Sequence, residues 1–294
     1  MSSAQSVPPT LFTGVGGVLG RGFSQHRLPL NSHYFSRNKY PQFPAEYHAL
    51  DLLTAGAAQA LIESLRPQLV VHAASLSSAQ RCADEPERCQ RVNVESVAEI
   101  AAATRHSNAQ LIYISTEQVF DGSAEVYAEK CTPNAITAYG RSKAAAESIV
   151  LENGGTVVRL PLLLGSNYNA DGGGADSSLL QALKNHSELS MFVDEWRAPV
   201  AADVIWPMIK ILGERKIGGV FHLAGADVVS RFELAQSVCK VANVKPTFQQ
   251  SSIADFDGPR RSPRLALSSK RAQQLLNYRP PSLLATLMRL HSNK

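Results

Sequence analysis

Residues 10–20 read TLFTGVGGVLG, and this stretch decides the fold class. Four residues typical of a short strand run directly into a turn with glycines at positions 14, 17 and 20, and the following segment can continue as a helix. Glycines permit a tight turn and a close approach of the backbone to a pyrophosphate, and helix N–H groups attract its negative charge. The pattern predicts a dinucleotide-binding turn opening an α/β fold with a doubly wound parallel Rossmann sheet. The alternative is an ordinary glycine-rich loop.

The region about 20 residues beyond the glycines is where dinucleotide folds place an acid that binds the adenosine ribose. Residues 33–39 read HYFSRNK and contain no acid. Ser36 and Arg37 would suit a 2′-phosphate, which favours NADP(H) over NAD(H), although these residues could also form a solvated loop. A short strand then ends near Asp51, which we expect beside the adenine ring.

Two apolar runs predict strands that end in small or polar residues. Residues 69–75, LVVHAAS, have the pattern of a strand buried on both faces, and its small end leaves room for a flat cofactor. Residues 110–114 predict another strand, and Ser115, Thr116 and Glu117 follow at its carboxyl end. Because open parallel sheets place their chemistry at strand ends, we expect functional side chains here.

The stretch YGRSK at 139–143 supplies candidate acid–base chemistry. It lies in an alanine-rich run, residues 134–150, with the composition of a helix, so Tyr139 and Lys143 fall one turn apart on one face. A phenol has a reference pKa of about 10, and a neighbouring ammonium should lower that pKa because it favours the phenolate. Exposed helices also show this spacing by chance, but the glycine turn and the Ser-Thr-Glu strand end favour a general acid.

Composition argues against several other classes of protein. The chain has 294 residues, 44% of them hydrophobic and 18% charged, which predicts a globular protein of one or two domains. Its net charge of +4 comes mostly from scattered basic residues and argues against a nucleic-acid partner. Four cysteines without metal-ligand spacing predict reduced thiols and no metal site. Without a signal pattern or a membrane-spanning run, we expect no membrane association and a cytoplasmic location.

The glycines, Ser-Thr and Tyr-x-x-x-Lys occur in the order and spacing of the extended short-chain dehydrogenase/reductases, and the chain resembles more narrowly the dTDP-4-dehydrorhamnose reductase family. The resemblance covers almost the whole length, with specific phrases VFDG at 119–122 and DEWRAP at 194–199. It implies that Tyr139 donates a proton and that Thr116 hydrogen-bonds the substrate carbonyl. It also implies that Lys143 binds the nicotinamide ribose and lowers the pKa of the tyrosine.

The chain departs from that family after Thr116 and near its C-terminus. The family commonly has Asp-Tyr after the threonine, whereas this chain has Glu117 and Gln118. Related sugar-nucleotide dehydratases use an Asp-Glu pair there, and because an amide cannot transfer a proton as a carboxylate does, dehydration is disfavoured. The segment RRSPRL at 260–265 resembles a family element in which the usual Arg-Pro order is broken.

Two sets of binding residues follow from the patterns and the resemblance together. The predicted cofactor set is Gly14, Gly16, Gly17, Val18, Leu19, Gly20, Ser36, Arg37, Asp51, Leu52, Ala73, Ala74, Ser75, Asn93, Ser115, Tyr139, Lys143 and Leu160. The predicted substrate set is Ser75, Thr116, Glu117, Gln118, Trp196 and Arg261. Trp196 could stack on a ring and Arg261 could hold a diphosphate, although packing and solvation explain both equally well.

The leading hypothesis is an NADPH-dependent ketoreductase whose small-molecule substrate is a 4-keto-6-deoxy sugar nucleotide or a similarly sized carbonyl compound. One alternative is a non-catalytic binding partner resembling the regulatory β subunit of methionine adenosyltransferase, and another is a reductase that tailors a natural product. We expect a Rossmann domain in residues 1–164 and a smaller α/β substrate-binding cap in residues 165–294. A segment at about 198–242 should return to the first domain, and residues 167–176 form a candidate lid. Homodimers are frequent in this superfamily, but no apolar stripe identifies an interface.

Overall fold

A computed structural model describes residues 8–165, 173–185 and 189–291. Its strands, in chain order, are β1 (Thr10–Thr13), β2 (Ser32–Ser36), β3 (Glu46–Ala49), β4 (Leu69–His72), β5 (Gln110–Thr116), β6 (Thr156–Leu160), β7 (Leu163–Leu164), β8 (Leu189–Phe192), β9 (Trp196–Arg197), β10 (Val200–Ala201), β11 (Gly219–His222), β12 (Val229–Ser230), β13 (Phe248–Ser251) and β14 (Arg264–Leu265). Its α-helices are α1 (Val18–Ser24), α2 (Ala57–Leu65), α3 (Ala79–Asp84), α4 (Pro86–Gln90), α5 (Ser96–His106), α6 (Ala138–Glu152), α7 (Ala175–Lys184), α8 (Ile205–Glu214), α9 (Arg231–Ala242), α10 (Lys270–Leu276) and α11 (Leu283–His291).

Seven strands form one parallel sheet in the order β3-β2-β1-β4-β5-β6-β11. The chain moves from β1 to one edge and then, beginning at β4, to the other edge. Such a reversal opens a crevice at the carboxyl ends of the two central strands. Thr13 pairs with His72 in register, so the glycine turn after β1 lies beside the small residues after β4. The predicted doubly wound Rossmann sheet is confirmed.

The strands of this sheet are buried between two layers of helices. Successive side chains of a strand point to opposite faces. Leu11 therefore packs in a core that includes residues of α2, α5 and α6, while Phe12 packs in a core that includes residues of α1, α8 and α10. Both side chains are at most 1% exposed. The two cores fix the sheet, and the sheet fixes the positions of the strand ends.

Helix α6 begins later than the predicted run of residues 134–150. Thr137 caps it, since the Thr137 hydroxyl oxygen accepts the N–H of Gly140 at 3.0 Å. A capping hydroxyl satisfies one of the free N–H groups at a helix start. Tyr139 consequently stands in the first turn of the helix and Lys143 in the second.

The C-terminal part of the chain interleaves with the sheet domain. Helices α7, α9 and α11 share an apolar core beside the parallel pair β8–β13 and form the cap. Within the segment at about 198–242, helix α8 and strand β11 pack with the sheet, whereas helix α9 packs with α7 and α11. Helix α10 also packs against the sheet. The candidate lid at 167–176 lies largely outside the described residues. None of the described helices is long and apolar enough to span a membrane.

Candidate active site

Gly14 places the turn after β1 directly against the end of β4. Its φ is +72°, and a Cβ at this position would lie 2.6 Å from both the carbonyl carbon of Ala73 and the nitrogen of Ala74. Thr13 fixes the same contact, because its hydroxyl oxygen accepts the N–H groups of Ala73 at 3.1 Å and Ala74 at 3.0 Å. A side chain at position 14 would fill a space that the backbone needs, so glycine is required here.

A cleft of about 550 Å³ follows the carboxyl ends of the central strands. All residues of the predicted cofactor set line it except Gly20 and Asn93. Ser36 and Arg37, at the end of β2, lie in its wall together with Asp51. One continuous space is therefore lined by the glycine turn after β1, by Ser36 and Arg37 at the end of β2, and by Tyr139 and Lys143 of helix α6.

Two arginines in the wall of this cleft do not belong to the predicted set. Arg81 and Arg88 line it from α3 and α4. Both pair with Glu85, at 3.0 Å and 3.3 Å respectively. The sequence around them does not indicate cofactor binding, because charged residues such as Arg81, Glu85 and Arg88 are common on exposed helices.

Gly20 and Asn93 do not line the cleft, and they support it from behind its wall. A Cβ on Gly20 would lie 2.1 Å from the carbonyl oxygen of Val15, so this glycine allows α1 to pack closely against the turn. The buried Asn93 amide accepts the N–H of Leu76 at 2.8 Å and donates to the Leu76 carbonyl at 3.1 Å and to the Ser142 hydroxyl at 3.0 Å. Asn93 therefore ties the loop after β4 to helix α6.

Thr116, Tyr139 and Lys143 converge in the wall of the same cleft. Thr116 ends β5, whereas the other two side chains come from α6. The hydroxyls of Ser75 and Thr116 lie near the phenol of Tyr139 and lower its pKa. Three predicted catalytic residues from distant parts of the sequence thus form one cluster.

Burial controls the protonation of Tyr139. Burial raises the pKa of the phenol to about 12, and the nearby hydroxyls of Ser75 and Thr116 oppose that rise. Lys143 is not among the charges that shift it, so the lowering expected from the ammonium is not found in this arrangement. At neutral pH Tyr139 is a protonated phenol, which is the form that can donate a proton.

Lys143 is held behind the tyrosine by the sheet. Its ammonium donates to the carbonyl of Ile114 at 2.7 Å and lies 4.0 Å from the centre of the Tyr113 ring. Burial lowers the pKa of Lys143 to about 7, although the carboxylate of Glu147 raises it. Ser115 donates to that same carboxylate at 2.5 Å, so its side chain supports the site from within the protein.

A second cleft, of about 590 Å³, meets the first at Thr116 and Tyr139. Glu117 and Gln118 line it from the sheet domain, and residues of α7 and α9 line it from the cap. Ser75 lies in the wall of the first cleft. Four of the six predicted substrate residues are thus gathered at or beside the junction of the two clefts.

Trp196 and Arg261 were predicted to stack on a ring and to hold a diphosphate, and the structure places both outside the two clefts. The Arg264 guanidinium lies 5.6 Å from the Trp196 ring centre. Arg261 packs over the rings of Phe192 and Phe256, at 4.9 Å and 5.2 Å from their centres. These contacts hold the C-terminal segment onto the cap, and spacing in the sequence does not distinguish such packing from ligand binding.

Buried ion pairs stand behind the second cleft. Arg197 contacts Glu117 at 3.1 Å and Glu195 at 2.6 Å, and Arg261 contacts Glu195 at 3.0 Å. Burial raises the pKa of Glu117 to about 8, although Arg197 lowers it. At neutral pH a large fraction of Glu117 is therefore protonated.

Arg231 is the functional candidate that sequence reasoning missed. It begins α9 and lines the second cleft. Its guanidinium makes no hydrogen bond or ion pair with the described part of the chain, and burial lowers the pKa of this group although Glu195 raises it. A single arginine after a helix-capping serine carries no signal in the sequence, and only the packing of α9 in the cap brings it to the cleft.

Comparison with known proteins agrees with this geometry. The family model described as the RmlD substrate binding domain matches residues 9–291. A dTDP-4-dehydrorhamnose reductase of Bacillus anthracis str. Ames, solved in complex with NADP, superposes with a TM-score of 0.84 at 24% identity, covering 98% of this chain and 99% of that one.

Two groups of relatives are also similar in sequence. The β subunit of methionine adenosyltransferase 2 from Xenopus tropicalis is 28% identical over 83% of this chain and 75% of that protein. A dTDP-4-dehydrorhamnose reductase from Aggregatibacter actinomycetemcomitans is 24% identical over 92% of this chain and 94% of that protein. The family match spans nearly all of the chain. The chain therefore belongs to the RmlD substrate-binding-domain family, the dTDP-4-dehydrorhamnose reductase-like branch of the extended short-chain dehydrogenase/reductases, which are NAD(P)-dependent oxidoreductases.

Proposed function

We propose that this protein uses NADPH to reduce a ketone to an alcohol, and that the ketone is carried by a 4-keto-6-deoxy sugar nucleotide. The observation that carries the proposal is the position of Thr116 and Tyr139 at the junction of two clefts. A reductase must bring two ligands together at one acid, and a junction of this kind allows it.

The first cleft suits a dinucleotide. Because Gly14 has no side chain, the backbone of the turn can approach a pyrophosphate closely. Helix α1 begins just after this turn, and its free N–H groups would attract the negative charge. Ser36 and Arg37 stand at the end of β2, and no acid follows that strand to repel a 2′-phosphate. The bound NADP in the Bacillus anthracis reductase is consistent with the same preference.

The residues at the junction support proton donation. NADPH, when bound, supplies a hydride to the carbonyl carbon. As the hydride reaches the carbonyl carbon, Tyr139 would transfer its phenolic proton to the carbonyl oxygen, so that the ketone becomes an alcohol. Thr116 would hydrogen-bond that oxygen. Lys143 lines the same cleft, where its side chain would bind the nicotinamide ribose.

The second cleft favours an anionic substrate. Its volume of about 590 Å³ falls within the range of small-molecule sites. Arg231 lines it, and its guanidinium makes no ion pair with the described part of the chain. This positive charge at the cleft wall suits the phosphates of a sugar nucleotide.

A regulatory role is the second candidate, and the observation that favours it is the 28% identity with the methionine adenosyltransferase 2 β subunit. Such a protein would keep the nucleotide cleft and act through a partner enzyme. A reductase of natural products would use the same chemistry on a differently shaped ketone.

The deciding experiment measures NADPH oxidation with a panel of 4-keto-6-deoxy sugar nucleotides and unrelated ketones. The proposal expects turnover with one of the sugar nucleotides and loss of that turnover in Tyr139→Phe. Tyr278→Phe is the matched control, because it removes another buried hydroxyl, bonded to the Ala224 carbonyl at 2.8 Å, outside both clefts. Reduction of unrelated ketones alone would refute the substrate. No turnover with any ketone, together with stoichiometric capture of a methionine adenosyltransferase, would support the regulatory role.

A further inference from the structure

Three potential metal ligands meet on one face of the sheet edge. Strands β2 and β3 run parallel, with His33 opposite Glu46 and Phe35 opposite His48. Side chains two residues apart on a strand share a face, so Glu46 and His48 project to the same side of β3. The atoms that these two residues and His33 could offer to a metal all lie within 4.8 Å of one another.

Two of the three distances within this group are close to the spacing of ligands around one ion. His33 Nδ1 lies 3.1 Å from His48 Nε2 and 3.6 Å from a carboxylate oxygen of Glu46. Zinc binds histidine nitrogen and carboxylate oxygen at about 2.0–2.2 Å, which places neighbouring ligands of a tetrahedral site about 3.3 Å apart. A single Zn²⁺ ion could therefore be bound with small side-chain movements.

Asn31 orients His33 for this role. His33 Nε2 lies 2.8 Å from the amide oxygen of Asn31, which can only accept a hydrogen bond. The proton of His33 is therefore on Nε2, and the lone pair of Nδ1 points to the other two ligands. Metal-binding histidines commonly have such a second partner, which fixes the ring and its tautomer.

The site is open to solvent on the side of Glu46. The Glu46 side chain is 68% exposed, so an ion can enter from solvent.

We infer that His33, Glu46 and His48 form a binding site for one divalent transition-metal ion of the zinc class, with water completing the coordination. The ion would tie the edge strand β3 to β2. The site lies near the amino-terminal end of β2, whereas Ser36 and the nucleotide cleft lie at its carboxyl end, so the ion takes no part in hydride transfer. The cysteine pattern predicts no metal site, but this group consists of histidines that only strand pairing brings together.

The test uses chelator-treated full-length protein, isothermal titration with Zn²⁺, and the absorption spectrum of the Co²⁺ complex. We expect one ion per chain, a spectrum without thiolate-to-cobalt charge transfer, and a higher melting temperature with the metal. His48→Gln should abolish the stoichiometric binding, and Asn31→Ala should weaken it by about 10–100-fold, as outer partners of metal-bound histidines do. His106→Gln, which removes an exposed histidine of α5, is the matched control and should bind as the wild type does.

Three results would overturn the inference. They are no saturable binding by the wild type, equal stoichiometric binding by His48→Gln, and a Co²⁺ spectrum with thiolate bands. Because His48 is only partly buried, His48→Gln is expected to fold, and circular dichroism of the metal-free variant checks this.

Discussion

Replacing Gly14 with alanine tests whether the turn after β1 is a cradle for the nucleotide. The added Cβ would lie 2.6 Å from two backbone atoms at the end of β4. Carbon atoms pack best at about 3.5–4.0 Å, so the strand end and the turn would have to separate by about 1 Å. The hydrogen bonds from Ala73 and Ala74 to Thr13 resist that movement.

Two effects add in this variant. A non-glycine residue in the left-handed region costs roughly 1–2 kcal/mol, and overpacking a well-packed contact costs about 1–3 kcal/mol. We therefore expect Gly14→Ala to lower the free energy of unfolding by about 2–5 kcal/mol. Because the strained turn also lines the cleft, NADPH binding should weaken about tenfold or more, equivalent to ~1.4 kcal/mol.

Gly154 provides a matched control. Its φ is +79°, and a Cβ there would meet no atom within 4 Å. Gly154→Ala should therefore lose only about 1–2 kcal/mol and bind NADPH with unchanged affinity. Urea denaturation and titration of NADPH fluorescence measure both quantities. If Gly14→Ala matched Gly154→Ala in stability and still bound NADPH like the wild type, the cradle would play no part in binding.

Three further predictions concern charged groups. In the folded protein the pKa of Lys143 is lowered to about 7 from its ordinary value of 10.5. Between these two pH values the unfolded chain binds more protons at this residue than the folded chain does. Lys143 should therefore make the free energy of unfolding rise with pH from about 7 to 10.5. Urea unfolding of Lys143→Met should lack that rise, and an unchanged slope would contradict the buried ammonium. Arg231→Gln should raise KM for an anionic ketone about 10–100-fold but leave KM for a neutral ketone unchanged, because a hydrogen bond to a charged group is lost. Arg264→Gln, which changes an arginine outside both clefts, is the control. Equal effects of Arg231→Gln on both ketones would show that Arg231 does not recognise the substrate. Arg37→Ala should raise the Kd of NADPH by a similar factor while that of NADH stays constant, and an equal loss for both nucleotides would show that Arg37 does not recognise the 2′-phosphate.

The sequence predicts those features that local patterns determine. The apolar run and the glycines at residues 10–20 specify the first strand and the turn. The turn has a positive φ at Gly14, a conformation that glycine adopts much more readily than other residues. Spacing alone places Tyr139 and Lys143 on one helix face, and the parallel sheet then brings Thr116 to them. These features were predictable because each depends on neighbours in the chain or on a single rule of topology.

Features that depend on packing between distant segments were not predictable. Arg231 reaches the second cleft only because α9 packs in the cap, whereas Trp196 and Arg261 have the expected residue types but contact other parts of the protein. Asn93 shows a third case, since it hydrogen-bonds behind the cleft wall. The pKa of Tyr139 also depends on burial, which the spacing of Tyr and Lys does not reveal.

The most direct test of the central claim is a single-turnover experiment with NADPH deuterated at the transferable position. Mass spectrometry of the product measures deuterium at the reduced carbon. We predict one deuterium per alcohol formed by the wild type, and a rate at least about 100-fold lower in Tyr139→Phe with NADPH affinity retained, because a positioned general acid contributes about 10²–10⁴-fold. Transfer at the wild-type rate by Tyr139→Phe would contradict the account.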